Sequence, residues 1–191
     1  MSEYTNATDN NCLNNSNYNI MIIGFMGVGK TTVSKELSKE LNMPEVDMDA
    51  YIVEHEGKTI AKIFEEVMEE GFRKIETQCL KEIQMVKGRI VSCGGGAVLK
   101  DENVKCMKES GVILLLTATP ETVYIRVKDN NDRPILNGNM NVPFIEELMN
   151  KRKDRYNEVA DIIVETDNKS VYEICEEIKH KLDEFVKFHH I

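Results

Sequence analysis

Residues 24–31 read Gly-Phe-Met-Gly-Val-Gly-Lys-Thr, and no other stretch constrains the fold of this chain so tightly. They match G-x-x-x-x-G-K-[ST]. Glycine lets a backbone turn sharply and point successive N–H groups inward at phosphate oxygens, and a helix starting at the lysine adds its positive end. The motif works only between a strand and a helix. Both are legible: Asn19–Ile23 is a short, mostly apolar run that suits a buried strand, and from Lys30 onwards Val33, Leu37 and Leu41 share one helical face. Gly27, Val28, Gly29, Lys30, Thr31 and Thr32 are therefore candidate nucleotide contacts. Lys30 is expected to reach the β- and γ-phosphates and the Thr31 hydroxyl to ligate Mg²⁺. The bland alternative is a glycine-rich turn with no ligand.

The alternation continues along the chain. Glu45–Asp47, Arg89–Ser92, Val112–Leu116 and Asp161–Glu165 read as strands. Thr59 precedes a helical face of Ile60, Ile63, Phe64 and Val67, and Phe72–Val86 reads as a further helix. Thr119-Pro120 is a start signal, with threonine capping and proline in the first turn. Pro143 opens a helix to about Glu158, and Ser170-Val171-Tyr172-Glu173 is a capping box. Strands alternating with helices predict an α/β fold with a parallel sheet covered on both faces. A length of 191 residues suits one domain, here 18–191. Residues 1–17, polar and rich in Asn, are expected to form a disordered tail. Residues 129–142 hold Asn, Asp, Gly and Pro and are expected to form a mobile lid that carries Arg133 and excludes water.

The net charge of −9 argues against nucleic-acid or anionic-membrane partners, so an anionic ligand would need a local basic pocket. Five cysteines, odd in number and without a C-x-x-C pair, argue against a disulfide framework or a zinc site. The N-terminus has no signal-peptide pattern and no apolar run is long enough to span a bilayer. A soluble cytoplasmic protein, monomeric for want of a further apolar helix face, is the expectation.

In many proteins with this loop a strand ends in an aspartate that helps hold the metal, but Arg89–Ser92 ends in serine. The carboxylates of Asp47 and Asp49 follow the strand Glu45–Asp47 and would stand at the ligand-binding edge of the sheet. One could face metal-bound water and the other an acceptor hydroxyl; alternatively Asp49 merely caps the next helix and Asp47 is solvated. Gly94, Gly95 and Gly96 at the end of the strand Arg89–Ser92 suggest close backbone approach by a ligand, or only a flexible turn.

Taken in order, GFMGVGKT, VDMD, GFRKIE, CGGGAV, DRPIL and KRKDRY make this chain resemble the shikimate kinases from about Tyr18 to about Leu182. The resemblance implies a three-layer P-loop kinase fold with a central parallel five-stranded sheet in the order 2-3-1-4-5. It implies transfer of the γ-phosphoryl group of MgATP to the 3-hydroxyl of shikimate. It assigns Asp49 to the acceptor hydroxyl, Asp47 to the magnesium shell through water, and Arg73 and Arg152 to the acceptor carboxylate. It places Gly94–Gly96 against the substrate, Arg133 over the phosphates as a catalytic lid residue beside Lys30 and Asp49, and Arg126 against adenine. Each arginine could instead be a solvated helix or turn residue. Asp167–Val171 lacks the proline that several relatives place near the base. Two rival readings are a related kinase acting on gluconate or a nucleotide, and an ATP-binding regulator without catalysis.

Overall fold

The computed structural model of the chain describes residues 17–128 and 141–189. The expected tail, apart from Asn17, and the expected lid with Arg133, apart from residues 141 and 142, lie outside the described residues.

Strand β1 (Asn19–Ile23) is buried at every position. Its first residue is polar but satisfied: the Asn19 amide donates to Ser110 Oγ at 2.8 Å and accepts from Arg89 N at 2.9 Å. The phosphate loop leads into α1 (Lys30–Leu41), whose buried face of Val33, Leu37 and Leu41 is the one the periodicity picks out. Then come β2 (Glu45–Asp47), α2 (Met48–Glu56), α3 (Ile60–Gln84) and β3 (Ile90–Ser92). A 3₁₀ turn at Ala97–Leu99 leads to α4 (Asp101–Ser110), β4 (Gly111–Thr117) and α5 (Pro120–Val127). The described chain ends with α6 (Val142–Val159), β5 (Ile162–Glu165) and α7 (Val171–His189). The lid expectation had extended to residue 142, but Asn141 already caps α6, accepting from Phe144 N at 3.0 Å, and Val142 is helical.

All pairings are parallel and the sheet order is β2-β3-β1-β4-β5, as the resemblance implies. Helices flank the sheet, with α1 against α7, α3 against α4, and α5 against α6. Because both faces are covered, the central strands need no polar alternation, and Val112–Leu116 is buried throughout. From β1 the chain runs out to the edge at β2, returns to β3 beside β1, then crosses to β4 and β5 on the other side. A ligand crevice forms at such a switch, beyond the carboxyl ends of the strands.

Local signals placed several helix starts. Thr59 accepts from Lys62 N at 3.3 Å and Thr119 from Thr122 N at 3.3 Å. Ser170 and Glu173 satisfy each other's backbone N–H at 3.2 and 2.7 Å. The two helices expected on either side of residue 70 run together as α3 but kink at Met68, where φ is 57° and ψ is −175°. That backbone region is almost reserved for glycine and costs a side-chain-bearing residue roughly 1–3 kcal/mol. Met68 is 69% exposed, so its side chain returns little burial energy.

Met68→Gly is therefore expected to stabilise the protein. Relief of strain outweighs the extra unfolded-state freedom of glycine, about 0.5–1 kcal/mol. A melting curve should shift upward by about 2–4 °C for each net kcal/mol in a chain of this size. A lower melting temperature would show that the kink is not strained.

Candidate active site

Four of the five strands lead into site residues at their carboxyl ends. From β1 comes the phosphate loop, entered through Gly24 at φ 144°. A Cβ there would lie 2.4 Å from the Leu116 carbonyl of β4, so only glycine lets the loop leave the sheet at this point. The loop closes at Gly29, φ 103°, which caps α1 without any side-chain hydrogen bond. The first turn of α1 also lacks an acidic residue. Its positive end is thus left to an anionic ligand. Lys30 Nζ lies across the loop, donating to the carbonyls of Gly24 at 2.9 Å and Phe25 at 3.0 Å.

From β2 comes Asp47, which pairs in register with Ser92 of β3. The carboxylate missing from β3 is thus supplied one strand away. Its two oxygens have separate partners. Oδ1 caps α2, accepting from Asp49 N and Ala50 N, each at 3.1 Å. Oδ2 accepts from the Thr31 hydroxyl at 3.0 Å. The side chain that caps α2 is therefore Asp47, not Asp49. The hydroxyl and carboxylate oxygens of Thr31 and Asp47, side by side at the mouth of the phosphate loop, fit a magnesium ion. Mg²⁺ takes hard oxygen donors and retains several of its waters.

From β3 comes the turn Gly94–Gly96, and around it the acceptor-side residues converge. A Cβ on Gly94 would stand 3.2 Å from Asp49 Oδ1 and 3.0 Å from Glu76 Oε1. A Cβ on Gly96 would fall 2.4 Å from the Arg73 guanidinium, so the backbone comes as close as its atoms allow. Arg152 Nη1 donates to the Gly95 carbonyl at 3.2 Å, and its guanidinium lies 5.9 Å from the centre of the Phe25 ring. Arg73 and Arg152, 79 positions apart in the numbering, thus meet at adjacent glycines. Neither is the solvated helix residue that arginine usually is.

Glu76 is the last residue of the GFRKIE segment, and the sequence implies no role for it. It is only 1% exposed. It accepts from Arg73 Nη1 at 2.8 Å, and so holds the guanidinium from behind. Burial pushes the Glu76 carboxyl up from its ordinary value; Arg73 opposes this, and the nearby charge of Asp49 adds to it. A second carboxylate, Glu69, accepts from Arg73 Nη2 at 3.3 Å.

On the other side of the phosphate loop lies a cleft lined by Gly27–Val33 together with Arg126, Thr166, Lys169, Val171 and Ile174. It contains every nucleotide-side candidate of the described residues, Thr32 included. Arg126 does more there than form a wall. Its guanidinium donates to the carbonyls of Gly27 (3.4 Å), Val28 (3.2 Å) and Thr166 (3.0 Å), and to the Thr166 hydroxyl at 3.0 Å. The Thr166 hydroxyl donates in turn towards Val28 O and Thr117 O, at 3.1 and 3.0 Å. In place of the missing proline, the loop after β5 offers Asp167. Its carboxylate accepts from Thr119 N and Oγ1, tying the start of α5 to that loop. No sequence motif marked Thr166 or Asp167.

The shikimate kinase family model matches residues 26–183. This chain belongs to the shikimate kinase family. A shikimate kinase of Dehalococcoides mccartyi is 38% identical over 87% of this chain and 94% of its own length. One from Persephonella marina is 42% identical over 84% of this chain and 96% of its own. A solved shikimate kinase from Acinetobacter baumannii, in complex with shikimate, superposes with a TM-score of 0.83 at 31% identity, covering 87% of this chain and 93% of that one. The chain is a kinase, an ATP-dependent phosphotransferase, with the P-loop kinase fold. Among the described residues no helix is long and apolar enough to cross a membrane.

Arg126→Ala should raise the KM for ATP by at least about tenfold, since a hydrogen bond to a charged group contributes about 1.5–3 kcal/mol. Arg126→Lys should restore little, because an ammonium cannot reproduce the fork that spans both the loop and Thr166. Steady-state kinetics with varied ATP check this; unchanged ATP affinity in both variants would remove Arg126 from the support of the loop.

Proposed function

We propose that the two halves of this site pass the γ-phosphoryl group of ATP to the 3-hydroxyl of shikimate, giving shikimate 3-phosphate and ADP. The observation that carries the reading is the meeting of Arg73 and Arg152 at Gly95–Gly96, beside Asp49 and next to the phosphate loop. Two guanidinium groups bind a carboxylate with fixed orientation as well as affinity. A small acceptor with one carboxylate and a hydroxyl fits that set of groups. A nucleotide acceptor would need a base pocket on this side.

Phosphoryl transfer asks the protein mainly for position and charge. Asp49 accepts a hydrogen bond from the acceptor hydroxyl and takes its proton as the new O–P bond forms. The bond between the γ-phosphorus and the bridging oxygen of ADP breaks. Lys30 and the N–H groups of the loop stabilise charge on the phosphate oxygens. Arg133, outside the described residues, is assigned the same task from the lid. Thr31 and Asp47 would hold Mg²⁺, which would supply positive charge to the phosphates. Glu76 keeps Arg73 facing the acceptor. The enzyme acts as a monomer in the cytoplasm.

A coupled ADP-release assay with shikimate, gluconate, AMP or no acceptor tests the reaction. Release should depend on shikimate. Release with gluconate or AMP instead would replace the acceptor, and nucleotide binding without release would support the non-catalytic reading. Asp49→Asn should lower kcat about a hundredfold, the scale of general-base assistance, while ATP binding persists. Arg73→Ala and Arg152→Ala should each raise the shikimate KM and leave the ATP KM within about twofold, because only the acceptor loses a charge-assisted partner.

A further inference from the structure

The Gly95 carbonyl accepts two hydrogen bonds from α6. One comes from Arg152, and the other, a short one, from the Tyr156 hydroxyl. The two residues stand one helical turn apart on the same face of α6. Their situations differ. Arg152 is a long, flexible cation whose donors are wanted by an acceptor carboxylate. Tyr156 is 5% exposed and belongs to the hydrophobic core, so its ring is fixed by packing. Burial pushes its phenol up from the ordinary value, so it stays a donor at neutral pH; Arg152 opposes this only in part.

Gly95 also faces the phosphate loop. A Cβ on it would lie 3.5 Å from Gly24 O and 3.8 Å from Met26 N, and 3.7 Å from the Tyr156 hydroxyl. The turn thus lies beside the phosphate loop, with the Tyr156 hydroxyl close to both. When Arg152 turns to a carboxylate, the Gly95 carbonyl loses one of its two donors. A carbonyl left without a partner in a buried setting drives its loop to rearrange.

We infer that Tyr156 is a positioning residue: its hydroxyl holds the Gly94–Gly96 turn against the phosphate loop and so sets the distance between the acceptor hydroxyl and the γ-phosphorus. This rests on the phosphotransfer reading above. Misplacement by about 1 Å can slow a reaction about a hundredfold without touching any reacting group.

The test is Tyr156→Phe, which removes one oxygen and keeps the ring. Wild-type enzyme is assayed first with shikimate and ATP; if it shows no shikimate-dependent ADP release, it is the phosphotransfer reading that fails. With an active wild type, the variant should lose about tenfold to a hundredfold in kcat. Its ATP KM should stay within about twofold. ADP formed per shikimate 3-phosphate should rise above one, because water competes for a phosphoryl group that the acceptor no longer meets squarely. Hydrogen exchange should quicken in residues 93–97 and not in α6. A merely structural role would lower the melting temperature and the active fraction while the coupling ratio stayed at one, and that result would overturn the inference. Wild-type kcat and coupling would overturn it as well. If the variant melts below the assay temperature, exchange and coupling are measured at a lower temperature, with wild type alongside, and read the same way.

Discussion

Three consecutive residues without side chains, Gly94–Gly96, are the point on which the site depends. At each glycine a different group comes within contact distance of where a Cβ would stand: Asp49 and Glu76 at the first, the phosphate loop and Tyr156 at the second, Arg73 at the third. Side chains on Gly94 or Gly96 would crowd Asp49, Glu76 and Arg73, the groups that the proposed reading brings to one small acceptor. The turn is set at the end of β3, and β3 lies beside β1 in the middle of the sheet. The acceptor groups and the phosphate loop therefore share one rigid base. Rigidity of this kind is what phosphoryl transfer needs, because little of its catalysis comes from covalent participation of the protein.

The nucleotide side is built on a similar economy of atoms. Gly24 lets the loop pass within contact of Leu116 O, and Arg126 then ties the loop's carbonyls to Thr166 beyond β5. Arg126 takes the carbonyls of Gly27 and Val28, and Lys30 those of Gly24 and Phe25. Asp47 links the two sides, since one oxygen caps the acceptor-side helix α2 and the other holds Thr31. A single carboxylate with two obligations explains why an aspartate stands there.

Much of this was legible before any coordinates. The phosphate loop announced its strand and helix, and the caps at Thr59, Thr119 and Ser170 lie where short-range hydrogen bonding demands. Local signals extend over a few residues, and that is the limit of their reach. The strand order came through the family resemblance, because no local pattern says which strand is central. The division of labour between Asp47 and Asp49 stayed open because either side chain can cap a helix. Glu76 stood in plain view three residues from Arg73, but its burial is a property of the folded sheet edge. Tyr156 bonds across 61 positions and Thr166 across 138. No periodicity or motif carries information over such separations; only the assembled fold does.

The sheet also tapers. Its interior strands include the seven residues of β4, while the edges are β2 with three and β5 with four. An edge strand exposes unpaired backbone groups on which another chain can pair. Here β2 offers almost no length for that, and on β5 the Ile163 carbonyl is already taken by Lys181 Nζ at 2.7 Å. The strand order that gathers the site at the centre of the sheet thus leaves its margins poor templates for β-aggregation, so the fold guards its own solubility with the arrangement that builds its active site.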